Sequence, residues 1–245
     1  MEENENPWLD VRISEEAMKH LRSLFDTKQL TEPNIQTYTL GTVSKSDYLQ
    51  DTDNWFYENV LKDLANHLYY REFSNYYKVH LEKSMPPAEF YLQKMWINYQ
   101  KQYEFNPPHQ HGSTYSFATF IKIPTHWKEQ HALPWLKRAN DQQASDFQFL
   151  LGEEMGPIRL VNIPLSPEDE GRMLFFPGWL MHQVFPFYGT EEERITISGN
   201  LQLIGPESET IAPQNDLDGV NSQIKKLQKG IQTLKDQKKV LKGKL

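Results

Sequence analysis

Two histidines one residue apart, His109 and His111, sit in PPHQHGSTYSFATFIKIP (Pro107–Pro124), directly before an alternating polar and apolar run. On extended backbone, side chains two residues apart leave the same face, so this pair can converge on one point. His-x-His is therefore either half of a metal site or an exposed pair in a Pro-rich turn. With eight histidines in the chain, the pair alone does not separate the two. Downstream, GRMLFFPGWLMHQVFPF carries a strand-like run through Pro177-Gly178 to His182, and twelve residues later stands Arg194 in RITISGN. The chain has no cysteine, which excludes disulfides, thiolate catalysis and Cys-ligated zinc or iron–sulfur sites. Any metal must be held by His, Asp or Glu.

These residues need elements to hold them. From Ser14, the run SEEAMKHLRSLF offers an N-cap, acids in the first turn and apolar residues at helical spacing, which predicts a short amphipathic helix. A second helix is predicted at DNWFYENVLKDLANHLYY, whose stripe is Trp55, Phe56, Val60, Leu61, Leu64 and Leu68. After Pro86-Pro87 the pattern changes to strands: EFYLQKMWINYQKQYEF, YSFATFIKIP, IRLVNIPL, RMLFFPGW, HQVFPFY and RITISGNLQLI. Short strands without long helices between them predict an antiparallel sandwich or jelly roll. The span from Thr125 to Gly156 reads as an insertion, either a lid or a surface excursion, with His126 and His131 in solvated loop. Beyond Pro213, Val220, Ile224, Leu227, Ile231, Leu234, Leu241 and Leu245 fall on heptad a and d positions, with Lys238 as the polar intruder. Such a segment either joins copies of the chain or folds back on its own body.

The paired segments PPHQHGSTYSFATFIKIP and GRMLFFPGWLMHQVFPFYGTEEERITISGN resemble the iron(II)/2-oxoglutarate-dependent dioxygenases. The similarity is to the microbial and viral branch, whose motif runs H-x-H, an alternating strand, G-x-L-x-x-F-P-x-x-x-x-H, then R-x-S/T. It covers roughly Met95 to Leu203. It implies a double-stranded β-helix (jelly roll) core, placed at 86–212 in a mainly β protein with some α. Outside the resemblance, the residue patterns add a helical N-terminal region at 1–85 packing on the core and a linker with a short coiled-coil helix at 213–245. The resemblance implies Fe(II) held by His109, His111 and His182, with 2-oxoglutarate as cosubstrate. Arg194 would pair with the far carboxylate, which a guanidinium matches bidentately. Thr196 would add a hydroxyl donor, and Asn200, Tyr103 and Tyr99 further polar contacts. No catalytic residue is implied beyond these metal and cosubstrate ligands. The expected activity is hydroxylation, with succinate and CO2 as co-products. The departure is His111, where most of the superfamily has Asp or Glu. It is either a third neutral ligand or a neighbour that leaves that position to water or a halide.

Two alternatives belong to other classes: a non-enzymatic jelly-roll assembly protein, and a three-His iron dioxygenase that does not use 2-oxoglutarate. The charge distribution bears on partners. Residues 220–245 hold eight Lys and one Asp, leaving 18 basic and 32 acidic groups in the rest of the chain. So acidic a body argues against long nucleic acids, and the substrate is left as a small molecule or a protein side chain. Residues 220–245 are the expected site of homo-oligomerisation. The acidic N-terminus lacks an apolar targeting segment, and no run of about 18 apolar residues occurs, so no membrane span is expected. The expected location is cytoplasmic, the host cytoplasm if the chain is viral.

Overall fold

The N-terminal helix forms where its cap and stripe place it. In the computed structural model, which describes residues 6–26, 41–51, 53–137, 139–140, 142–152 and 156–204, α1 spans Glu15–Asp26. The Ser14 hydroxyl accepts from the Ala17 N–H at 3.1 Å, and Ala17, Met18, Leu21 and Leu24 are buried. The second helical stretch begins as a wider π-helical turn, Tyr57–Leu61, and continues as α2, Lys62–His80. Phe56, Leu61 and Leu68 from the expected stripe are fully buried.

Both helices cover one face of a six-stranded antiparallel sheet. Its order is β1 (Leu9–Arg12), β8 (Arg172–Pro177), β5 (Tyr115–Lys122), β10 (Arg194–Ile204), β3 (Glu89–Gln100) and β2 (Lys45–Leu49). A four-stranded antiparallel sheet has the order β4 (Asn106–His109), β9 (Met181–Val184), β6 (Phe147–Leu151) and β7 (Arg159–Ile163). The architecture is thus mainly β, antiparallel and jelly-roll-like. Two apolar clusters hold it. One joins α1, α2 and the outer face of the large sheet through Phe56, Met95, Ile97, Phe117, Phe175 and Ile197. The other joins the two sheets through Ala118, Phe120, Phe147, Phe149, Leu174 and Phe176.

Four strands were not expected: β1, β2, β6 and the short β4, which ends at His109 in the Pro-rich segment. The N-terminal region expected to be helical also carries strands, because β1 and β2 add the two edges of the large sheet. The span 125–156 is not an insertion alone: it contains a short helix, α3 (Trp127–His131), and β6, an inner strand of the small sheet. FQFLL has the alternation of a strand, but only five residues of it follow a long polar run. Contacts within the chain separate Met1–Leu203 from Ile204–Leu245. The expected linker and heptad helix lie outside the described residues.

Candidate metal centre

His109 ends β4 and His182 lies on β9, and antiparallel pairing sets them directly opposite one another. Their rings are 4.2 Å apart between centroids. His111 follows on the loop after β4, with its ring 5.2 Å from each of the other two. One nitrogen of each imidazole lies within 4.8 Å of the others.

Local backbone chemistry fixes which nitrogen faces the centre. The His109 Nδ1–H donates to the Pro107 carbonyl at 2.8 Å, and the His182 Nδ1–H donates to the Leu180 carbonyl at 2.9 Å. Each bond leaves Nε2 with its lone pair, the arrangement that orients imidazole ligands in metal sites. The Asn106 amide lies 3.3 Å from the His109 Nε2. His111 is placed by its backbone, whose N–H donates to the Gly178 carbonyl at 2.8 Å, while the Gly178 N–H donates to the Thr114 carbonyl at 3.0 Å. A Cβ at Gly178 would stand 2.1 Å from the Ser113 carbonyl oxygen, so only glycine lets the β8–β9 turn grip this loop.

The walls are apolar. Phe147 stacks on His182 at 5.4 Å and 11°, and Phe176 meets it edge-on at 4.8 Å. Burial is the main cause that holds all three imidazoles below their ordinary pKa, with His111 pushed down to about 4 and His182 further depressed by His109. All three are therefore neutral at pH 7 and present lone pairs. A set of three neutral nitrogen donors with an open cleft beside it suits Fe(II) and leaves coordination positions free.

The cleft, about 230 Å³, is lined on one side by Lys94, Trp96, Asn98 and Gln100 of β3 and by Thr196 and Ser198 of β10. Thr196 is thus a residue of the cleft wall. Arg194 shares the inner face of β10 but lies behind the cleft, 1 % exposed. Its Nη2 donates to the carbonyl and hydroxyl of Ser145, the carbonyl at 2.8 Å, and its Nη1 donates to the Gln100 Oε1 at 3.4 Å. Phe187 lies 5.1 Å from the guanidinium, and the buried Nε has no hydrogen-bond partner. Burial pushes its pKa down to about 10, partly offset by Asp146, so it stays charged at neutral pH. A buried cation with an unused donor, one side chain removed from the cleft, fits a carboxylate ligand.

The other expected contacts are not in the cleft. Asn200 is buried and accepts from the Ser116 hydroxyl at 3.0 Å, a bond between β10 and β5. Tyr99 points to the helix-covered face, with the Lys45 Nζ 4.5 Å from its ring. Tyr103 is 67 % exposed on a turn at φ +69° and packs against Tyr188. Strand parity carried the missed signal: with Met95 and Ile97 facing the core, the opposite face of β3 must present Lys94, Trp96, Asn98 and Gln100. His126 caps α3 by accepting from the Lys128 N–H, and His131 bonds Asp146 at 2.9 Å, so neither joins the cluster. Trp179 is exposed, and Trp96, whose ring is 5.8 Å from that of His111, is the tryptophan of the cleft.

Residues 94–200 match a family model described as "Putative 2OG-Fe(II) oxygenase". This segment belongs to the 2OG-Fe(II) oxygenases. The match spans all three histidines and Arg194, and it sets aside the non-enzymatic alternative: the chain is an oxidoreductase that uses Fe(II) and 2-oxoglutarate. Similar solved structures include a prolyl-4-hydroxylase from Pseudomonas putida, at 12 % identity and TM-score 0.46, covering 81 % of this chain and 93 % of that one. A viral collagen prolyl hydroxylase from Paramecium Bursaria Chlorella virus-1 has 12 % identity and TM-score 0.44, covering 81 % and 97 %. A prolyl hydroxylase from Trichoplax adhaerens has 10 % identity and TM-score 0.47, covering 82 % and 84 %. No curated protein matches the sequence. Among the described residues, no helix is long and apolar enough to cross a membrane.

Proposed function

We propose that this 2OG-Fe(II) oxygenase is a hydroxylase in which His109, His111 and His182 all ligate iron and Arg194 holds the far carboxylate of 2-oxoglutarate. The observation that carries the proposal is the convergence of the three imidazoles, two of them a cross-strand pair with Nε2 freed by carbonyl bonds. A double-stranded β-helix core at 86–212 is part of the same reading. It is supported by the way β3 to β10 divide between two sheets in the orders β8-β5-β10-β3 and β4-β9-β6-β7.

Iron with 2-oxoglutarate and dioxygen supplies, when bound, the oxidant that replaces a C–H hydrogen by hydroxyl, with succinate and CO2 as co-products. The chain's own residues supply orientation and dryness. The carbonyls of Pro107 and Leu180 hold two imidazole rings in one tautomer and one direction. Phe147 and Phe176 exclude water from the buried side of His182. Gln100 touches both the cleft and Arg194, and Thr196 adds a hydroxyl on the same inner face, so the cosubstrate lies along this end of β3 and β10. Helices at 1–85 act as cover for the outer face.

The sequence supports two further proposals: that residues 220–245 join copies of the chain, and that the enzyme works in the cytoplasm on a small molecule or a protein side chain rather than on long nucleic acid.

The test is anaerobic titration with Fe(II), with and without 2-oxoglutarate, observed through the weak visible charge-transfer band of the chelate. The band is expected only with both present. Arg194→Ala should raise the 2-oxoglutarate needed at least about a hundredfold while iron binding persists, because the far carboxylate loses a buried charged partner. Arg194→Lys should rescue it in part. Unchanged succinate production by Arg194→Ala would remove Arg194 from the cosubstrate site.

A further inference from the structure

Two cations stand along the inner face of β3, Lys94 in the middle of the strand and Arg194 of β10 beside its C-terminal end. Gln100, at one end, contacts Arg194. Lys94 stands mid-strand, six residues away from Gln100, which at roughly 3.3 Å per residue is about 20 Å of strand. Lys94 and Gln100 line one cleft, and the histidines lie in its wall. A cosubstrate that reaches from the metal to Arg194 is directed away from Lys94. Lys94 is exposed, has no ion pair among the described residues, and no carboxylate is among the described residues lining the cleft. Its Nζ is 5.6 Å from the ring centre of Trp96, whose ring in turn is 5.8 Å from that of His111. A cation and an aromatic surface therefore stand together beside the third ligand.

Charge accounting sharpens the point. Three neutral imidazoles offset none of the metal's two charges, where a carboxylate ligand would offset one. The two carboxylates of 2-oxoglutarate balance the metal, and Arg194 and Lys94 are left over. The loaded cleft is thus an electropositive site in a body whose residues 1–219 carry 18 basic and 32 acidic groups. Focusing of such a field in a low-dielectric cleft favours an anion.

We infer that the substrate is a small organic acid whose anionic group, carboxylate or phosphate, is held by Lys94, with its carbon skeleton lying on Trp96 beside the metal. This rests on the reading that Arg194 serves the cosubstrate. Lys94 is a specificity residue: it selects for charge and takes no part in the oxidation. Asn98 and Tyr48, which also line the cleft, supply neutral hydrogen-bonding groups around it.

The experiment uses benzoate, phenyl phosphate and the uncharged isostere benzamide as probes on the full chain loaded anaerobically with Fe(II) and 2-oxoglutarate. Binding is followed by tryptophan fluorescence and by perturbation of the charge-transfer band. At least one of the two anions should bind about tenfold or more tightly than benzamide, as a hydrogen-bonded charge in a cleft provides. The anion that does so identifies the group. Lys94→Ala should reduce that preference to about twofold or less with Fe(II) and 2-oxoglutarate affinities unchanged, and Lys94→Arg should keep it. The preference should also weaken with added salt. Equal binding of anions and benzamide, failure of both anions to bind, or a preference that survives in Lys94→Ala would each overturn the inference. Absence of the 2-oxoglutarate-dependent band before any probe is added would instead overturn the cosubstrate assignment on which it rests.

Discussion

The two faces of the six-stranded sheet divide the work of the molecule. On β3, Met95 and Ile97 point outward into the cluster formed with α1 and α2, and both are buried. Their neighbours Lys94, Trp96, Asn98 and Gln100 point inward and line the cleft. The same alternation runs along β10, where Ile197 and Leu201 pack outward while Thr196 and Ser198 face the histidines. One strand thus supplies stability with every second residue and chemistry with the others. Substitutions on the outer face should cost folding and spare affinity per folded molecule, and substitutions at the centre should do the reverse.

The largest expected effect lies on the outer face. Phe56 is fully buried with its ring 5.9 Å from that of Phe117, and Phe56→Ala should destabilise the fold by about 3–5 kcal/mol in urea denaturation. The surviving folded fraction should bind Fe(II) with unchanged affinity. A variant that instead loses iron affinity while keeping its stability would break the division between faces.

Gly178 tests the join between faces, because the turn that it forms holds the His111 loop. Gly178→Ala places a methyl group against the Ser113 carbonyl, and overpacking of this kind costs about 1–3 kcal/mol. Unlike Phe56→Ala, it should also weaken iron binding, since the His111 backbone must move. Thermal melts combined with an iron titration separate the two outcomes.

The smallest effect concerns Glu72 on α2, which accepts from the buried Tyr115 hydroxyl at 2.8 Å. Burial holds the Glu72 carboxyl above its usual pKa, with the Tyr115 bond and Arg71 opposing. A raised carboxyl pKa contributes stability below the unfolded value and loses it as pH rises through the folded value. Glu72→Gln keeps the acceptor and removes the charge, so its Tm should exceed that of the parent at pH 7 by up to about 3 °C and match it near pH 3. A lower Tm at pH 7 would mean that the charge itself stabilises α2.

The outer face was legible because burial leaves periodicity. The stripe of α2 and the cap of α1 were read correctly, and so were the strands that alternate Ile, Phe and Leu with polar residues. The site was legible in its histidines, because His-x-His and the Pro-Gly turn before His182 carry geometry in their spacing. Its remaining walls were not. Asn98 and Gln100 look like solvent-facing residues, since a cleft requires polar side chains as a surface does. Tyr99 and Tyr103 carry hydroxyls, but strand parity turns Tyr99 to the helix-covered face and Tyr103 lies exposed on a turn. β6 was missed because its position between β9 and β7 comes from pairing distant in sequence, and Phe147 is identifiable as the wall of His182 only once that pairing is made. Asn200 was expected as a further polar contact, but its carbonyl accepts from the Ser116 hydroxyl between β10 and β5.

The central claim is that three neutral imidazoles from β4, the loop after it and β9 hold one iron. The most direct measurement is an anaerobic Fe(II) titration of the parent and of the single variants His109→Ala, His111→Ala and His182→Ala, with iron content and circular dichroism recorded together. One iron per chain is expected in the parent, none retained after desalting in His109→Ala or His182→Ala, and at least about tenfold weaker binding in His111→Ala, all with strand content preserved. Full iron affinity in folded His111→Ala would contradict a three-imidazole centre, and full affinity in His182→Ala would contradict the site itself.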